Sequence, residues 1–483
     1  MHRFCLLLVL VAVSVQAAPA RETWMSVLLS GRKIGSMLST REVHGERVTT
    51  QQQLRIELDR AGTRIALTTS ETDEETLAGV PLAFESRTQM SGNETLVRGR
   101  IVDGRTVEVT STIGGSAHTR TLEWPRGALL AEGLRLAEER AGTTAGTRYS
   151  NLAFQPDNLE AITIDSIVGE TAPVDLPDGK RTLTRIEQAI HLPDAPTRAE
   201  AWIDRDQNVA KLVMPVIGYE LTMLACSREC AQAPNQSADI LVHALVAAPR
   251  ALGADERRRG LRLRLSATDH GEPLKFAQTD EQRVTAGDAA VDISIAPIDA
   301  ASPAAENKPD PADFRSNDWL QSDAPEVVAL AKQGAGDATA ADEQMQRLED
   351  FVRGYIRNKD LNVGYASALE VARKPEGDCT EHAVLLAALG RARGIATRVV
   401  DGIVYVDNYA GQQHVFVPHA WTQAFVDGHW RSYDAALHGF DAGHVALSFG
   451  DGDPWRFFAG FNALGRMRVD SAEAIHQQPP AHP

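Results

Sequence analysis

From about Glu22 to Cys230 apolar and polar side chains alternate residue by residue, the period of strands with one buried face. Leu54-Arg55-Ile56-Glu57-Leu58 alternates strictly, turns at Ala61-Gly62 and resumes at Ile65-Ala66-Leu67. Val97 to Val102 meets Thr106 to Val109 across Asp103-Gly104, a dipeptide suited to hairpins because both residues tolerate positive φ. Ala201-Trp202-Ile203 and Val209 to Val213 flank another polar turn, and a single helical stretch lies near Leu129 to Glu139. This pattern predicts an antiparallel sheet or half-barrel over 21–232. A smaller β unit over 237–299 has Leu261 to Leu265 as its clearest strand, and 300–318, rich in Ala, Pro and Asp at its start, reads as a linker.

Beyond the linker the apolar period changes from two to 3.6. Pro325 opens a helix capped by Ser322 or Asp323, followed by Val327, Val328 and Leu330. A longer helix over Asp342 to Ile356 carries Met345, Leu348, Val352 and Tyr355 on one stripe, which is core rather than a cofactor box. This unit spans 319–470, and 471–483, ending in Gln477-Gln478-Pro479-Pro480, reads as a disordered tail. The fold class is α+β, with β-rich antiparallel domains ahead of a C-terminal unit of helices and sheet.

Length changes the picture little: 483 residues need two or three cores. Charge changes it more, since 49 basic against 65 acidic residues give a net charge of -16 and argue against nucleic acid or an anionic membrane as partner. The short cluster Arg257 to Arg259 reads as a solvated turn. Met1-His2-Arg3, the apolar run Leu6 to Val15 and the small residues Ala17, Ala18 and Ala20 read as a secretory signal over 1–20, with an uncleaved anchor as the alternative. Cys5 lacks lipobox spacing, and no other segment is long and apolar enough for a membrane helix, so the expected location is periplasmic or secreted. Without the signal three cysteines are left. Cys226 and Cys230 can close a small disulfide loop, their spacing fits zinc poorly, and Cys379 is the odd one out.

Cys379 lies in Gly377-Asp378-Cys379-Thr380-Glu381-His382. Asp378 with Glu381 three residues on is a capping-box variant, so Cys379 is the first residue of a helix that Gly394 ends. The unpaired N–H groups and dipole of a helix N-terminus favour a thiolate, and the same N–H groups can receive an oxyanion. A base must come from elsewhere. Pro418-His419-Ala420-Trp421 opens a strand that turns at Asp427-Gly428. With a two-residue turn Phe425 pairs with Trp430 and Gln423 with Ser432, which puts Asp434 on the face of His419 as its diagonal neighbour. His414, His429, His438 and His444 read as surface histidines; His382, one turn from Cys379 but without an evident carboxylate, ranks second.

These blocks, with Leu385-Leu386-Ala387-Ala388-Leu389 and Arg391 to Ile395 between them, resemble the bacterial transglutaminase-like family over roughly Trp319 to Phe449. The resemblance implies a papain-like fold with Cys379 as nucleophile, His419 as base and Asp434 as orienter. It implies attack on an amide or ester carbonyl of a protein or peptide substrate, most simply a glutamine side chain or peptide bond, resolved by water or by an amine. No cofactor and no metal is expected; Asp451-Gly452-Asp453 has too few ligands for a calcium loop. The family pattern is departed from twice: Ala396-Thr397 where relatives carry Pro-Ala, and Gln423 where an acid is usual. Tyr365 and Ser367 are candidates for the side-chain oxyanion donor. The alternative to an enzyme is a silent scaffold that binds a periplasmic partner.

Overall fold

The computed structural model describes residues 21–475 apart from 61, 193–195, 217–218, 240–243, 269–272, 288, 299–305, 307, 360–364 and 455–460. The signal segment and the last eight residues of the expected tail, 476–483, lie outside the described residues.

Long alternating ribbons produce one 15-stranded sheet in the N-terminal half. Its first strand, Arg21–Leu29, pairs on one side with Arg32–His44 and on the other with Tyr219–Ala225, so it joins the meander that follows it to the one that ends the domain. Helix α1 (Ala131–Ala141) is anchored by the sheet: the Glu132 and Gly133 amides donate to the Glu75 carboxylate at 2.5 and 2.9 Å, acidic caps at the positive helix end. Phe84, Trp124 and Phe154 pack ring against ring in one of its cores.

The chain then makes two short helices, α2 (Arg228–Ala231) and α3 (Ala254–Arg259), and four that belong to the C-terminal half: α4 (Pro325–Ala335), α5 (Ala341–Tyr355), α6 (Ala368–Arg373) and α7 (Cys379–Ala392). The N-cap of α4 is Ala324, not Ser322 or Asp323; the Asp323 carboxylate instead accepts from Ser316. The α+β class predicted from the pattern is what the structure shows. Among the described residues no helix is long and apolar enough to cross a membrane.

Among its described residues the unit 237–299 shares its main buried cluster with the C-terminal half. Its strand Val246–Ala247 pairs with Gln412–Val426, and Leu261–Ala267 pairs with Met467–Ala474 in a four-stranded sheet. Leu261, Leu263, Leu265 and Ile293 share one buried cluster with Leu385, Leu386 and Phe416. The expected tail also needs correction, because 471–474 belong to that last strand. Neither pairing could be found from local pattern, since the partners are about 170 and about 200 residues apart in sequence. The described part of the linker is also fixed. Glu306 exchanges hydrogen bonds with Asp280 and pairs with the Arg398 guanidinium at 2.5 Å.

The large sheet docks on the C-terminal half beside α6. Asn93 donates to the Tyr365 carbonyl at 3.1 Å, Gln321 to Ile113, Arg373 to Gly114, and Arg120 pairs with Asp318.

Candidate active site

Helix α7 starts where the sequence predicts. Gly377 has φ 141°, a region in which side chains are strained, and a Cβ there would strike the Glu381 side chain. Asp378 then caps the helix, accepting from the Thr380 amide at 3.0 Å, while Glu381 accepts the Asp378 N–H at 2.8 Å. Cys379 is the first helical residue, half-buried, and a thiol.

The strand Gln412–Val426 packs against this helix, and the Thr422 hydroxyl donates to the Ala383 carbonyl at 2.9 Å. The turn Asp427-Gly428 has φ 52° and 84°, the two positive values of a two-residue hairpin, and the ladder pairs Phe425 with Trp430 and Gln423 with Ser432. The predicted parity therefore holds. His419 Nε2 lies 2.8 Å from Asp434 Oδ2, with both residues buried. Opposite His419 in the ladder stands Gly402, where a Cβ would collide with the Val445 carbonyl and the Trp421 ring.

Asp434 is held on every side. Its amide donates to Glu349 at 2.7 Å, its carbonyl accepts from Arg353 at 3.2 Å, and Oδ1 accepts the amides of Ala436 and Leu437 at 2.8 and 3.1 Å. Glu349 and Arg353 lie on α5, next to the buried stripe. Their i,i+4 spacing reads in the sequence as an ordinary surface pair, so their grip on Asp434 could not be anticipated.

Two of the histidines expected at the surface, His444 and His429, sit elsewhere. His444 is buried, with Nε2 3.0 Å from Asp434 Oδ2 and Nδ1 2.9 Å from the Asp441 carbonyl. His429 is buried, with Nδ1 3.6 Å from Asp280 Oδ2. His414 keeps a partly exposed side chain, as expected, but on the strand Gln412–Val426 rather than in a loop, stacked on Tyr405 and 2.9 Å from its hydroxyl. His382 is also buried; its Nδ1 meets the Asp378 carbonyl at 2.6 Å rather than a carboxylate, and burial lowers its proton affinity.

Gln423, the departure from the expected acid, accepts from Arg398 at 2.6 and 3.0 Å. The charge that pairs with Arg398 comes from Glu306 instead. Of the two oxyanion candidates, Ser367 is the N-cap of α6, donating to Glu370, and the Tyr365 hydroxyl donates to the Gly452 carbonyl at 2.8 Å. Cys226 and Cys230 are thiols rather than the disulfide expected. Burial and the neighbouring Cys230 push the Cys226 thiol up to about 12, which denies Cys226 the thiolate that exchange requires.

Among the described residues His419, Asp434 and His444 alone cluster closely enough to hold a metal, their donor atoms lying within 4.8 Å of one another. Two ring nitrogens at 2.8 and 3.0 Å from one carboxylate oxygen are, however, at the separation of N–H···O hydrogen bonds. Although burial opposes it, His419 and His444 hold the Asp434 carboxyl well below its ordinary range. Against the pull of burial, hydrogen bonds to Asp434 and Asp441 hold His444 up at about 9. Burial lifts Glu281 and Glu349 to about 7.

These shifts fix a sign for stability. A group whose folded value is raised contributes stability that is whole below its unfolded value and lost as pH rises through the folded one. His444 therefore loses its contribution between pH 6.5 and about 9, and Glu281 and Glu349 act in the same direction lower down, between 4.5 and about 7. Asp434 acts oppositely, but only in acid. The thermal midpoint should fall as pH is raised from about 6.5 to about 9.5, with roughly 3 kcal/mol from His444 alone. A flat or rising midpoint in calorimetry across that window would contradict the charge state assigned to these groups.

A family model of the transglutaminase-like superfamily matches residues 328–435. Among solved structures, a β-barrel-like protein of a domain of unknown function from Brucella abortus aligns at 15% identity, covering 44% of this chain and 98% of its own, with a TM-score of 0.35. A protein from Cytophaga hutchinsonii described as a candidate cysteine protease aligns at 15% identity over 45% of this chain and 90% of its own, with a TM-score of 0.30. A candidate protease from Parabacteroides distasonis aligns at 11% identity over 75% of this chain and 69% of its own, with a TM-score of 0.20. No curated sequence matches the chain.

Proposed function

Residues 328–435 form a transglutaminase-like domain, and from that premise we propose that the chain is an exported thiol acyltransferase or amidase working through Cys379, His419 and Asp434. The observation that carries this reading is the buried His419–Asp434 pair, presented on a strand clamped to the helix that Cys379 heads. Because Nε2 of His419 is engaged by Asp434, Nδ1 is the nitrogen that takes the thiol proton. The thiolate attacks the carbonyl carbon of an amide; a C–S bond forms, the C–N bond breaks, and His419 returns the proton to the leaving amine. The amides at the start of α7 stabilise the oxyanion. Water then attacks the thioester to give a carboxylic acid, or a primary amine attacks to give a new amide; either way the thiol is restored.

The substrate is a protein or peptide, of neutral or basic character given the net charge of -16. Incubating the secreted protein with a glutaminyl peptide, with and without a primary amine, separates the two outcomes. Ammonia release is expected in both arms, with an amine adduct only in the second if transamidation operates. Ammonia release absent from both arms, with peptide-bond cleavage also absent from a mixed peptide pool, would leave a binding scaffold as the better reading.

A further inference from the structure

We propose that His444 is a fixed imidazolium that shares the Asp434 carboxylate with His419 and thereby sets how readily His419 gives up its proton. This makes His444 a positioning residue, and it rests on the assignment of His419 as the base.

Both ring nitrogens of His444 face acceptors. Nε2 meets Asp434 Oδ2 at 3.0 Å, while Nδ1 meets the Asp441 carbonyl at 2.9 Å and the Asp441 carboxylate at 3.5 Å. The Asp441 amide, at 3.3 Å, is the longer and weaker contact to Nδ1. A neutral imidazole carries one N–H and would turn a lone pair towards an oxygen in a side chain only 1% exposed. The ring is wedged between Phe440 and Trp421, with centroids at 5.0 and 5.2 Å. Asp441 itself is fixed by Arg257 at 2.9 Å and by the Gly443 amide at 2.8 Å, which orients the start of the strand His444–Gly450.

The charged and titratable groups around the ring make a short chain. Asp434 and His419 face it from the hairpin, with the His419 ring 5.7 Å away, and Asp441 with Arg257 closes the opposite side. Glu281 senses His444 from the strand-side wall. Glu349 and Arg353 reach only the Asp434 backbone, and His382 senses Asp434 from α7. With Asp441 balanced by Arg257, the charge on His444 is left to offset that on Asp434. His419 therefore leans on a carboxylate already half-neutralised, and its imidazolium can pass a proton to the leaving amine rather than keep it.

The test is the pH profile of Cys379 carboxymethylation by iodoacetate in the full chain. The rate should rise as the thiolate forms and fall when the His419 imidazolium, which attracts the anionic reagent, loses its proton. His444→Gln keeps a hydrogen-bond donor towards Asp434 but no charge, so the falling limb should move up by about one pH unit. A falling limb that stays put in His444→Gln overturns the proposal and leaves the acyl-transfer assignment standing. A wild type that alkylates like an ordinary thiol, with no bell, sinks that assignment and the proposal with it. Ring-nitrogen NMR of the wild type, which needs no variant, should show His444 protonated at both Nδ1 and Nε2 at about pH 8; a single-proton tautomer overturns the proposal.

Discussion

Cys379→Ala is expected to abolish amide turnover, by a factor on the order of 10⁴ or more, while the protein keeps its fold. The helix start does not depend on the sulfur. Asp378 caps α7 through the Thr380 amide and hydroxyl, and Glu381 closes the box on the Asp378 amide. Alanine is a strong helix former, and the side chain removed is half-buried rather than central to the core. The melting curve should therefore move by no more than about 1 kcal/mol. Turnover has no substitute nucleophile on α7, because the next hydroxyl, Thr380, is bonded to Asp378 and Glu381. Steady-state ammonia release beside a thermal melt checks both halves, and turnover within tenfold of wild type would refute the nucleophile.

Asp434→Asn is expected to damage catalysis and stability together. The amide oxygen would stay with the Ala436 and Leu437 amides that now hold Oδ1, leaving the NH₂ to face two imidazole nitrogens. His419 would have to offer its Nε2 lone pair to that NH₂ and carry its proton on Nδ1, the nitrogen that must receive the thiol proton. In the serine-protease precedent the wrong tautomer costs about 10⁴-fold in kcat. His444 would keep its charge in a buried site without the counter-charge, a loss of about 3–5 kcal/mol. Turnover and urea midpoints measured on one preparation decide between the effects. Activity within tenfold of wild type would remove Asp434 from the orienting role, and an unchanged midpoint would mean that His444 is not charged.

What could be read from the sequence was local. The capping box at Asp378, the stop at Gly394 and the hairpin register set by Asp427-Gly428 each depend on residues within a few positions, and each stands in the structure as predicted. The positions of Cys379, His419 and Asp434 follow from those three devices. What escaped the sequence was contact between distant segments. His429 and His444 read as surface residues because Asp280 lies about 150 positions from one, and because the Asp434 oxygen that meets His419 also meets the other. Strand Leu261–Ala267 reads as part of a separate unit because its partner, Met467–Ala474, sits beyond the whole transglutaminase-like segment. Gln423 reads as a lost acid until Glu306, from the linker, is seen at Arg398.

The most direct measurement traps the acyl-enzyme itself. Wild-type protein mixed with p-nitrophenyl acetate, quenched in acid within seconds and mapped by mass spectrometry should carry a single acetyl group on Cys379. His419→Ala should carry almost none on the same timescale. Acetyl on another residue, or equal labelling of Cys379 with and without His419, would contradict the proposed acyl-transfer site.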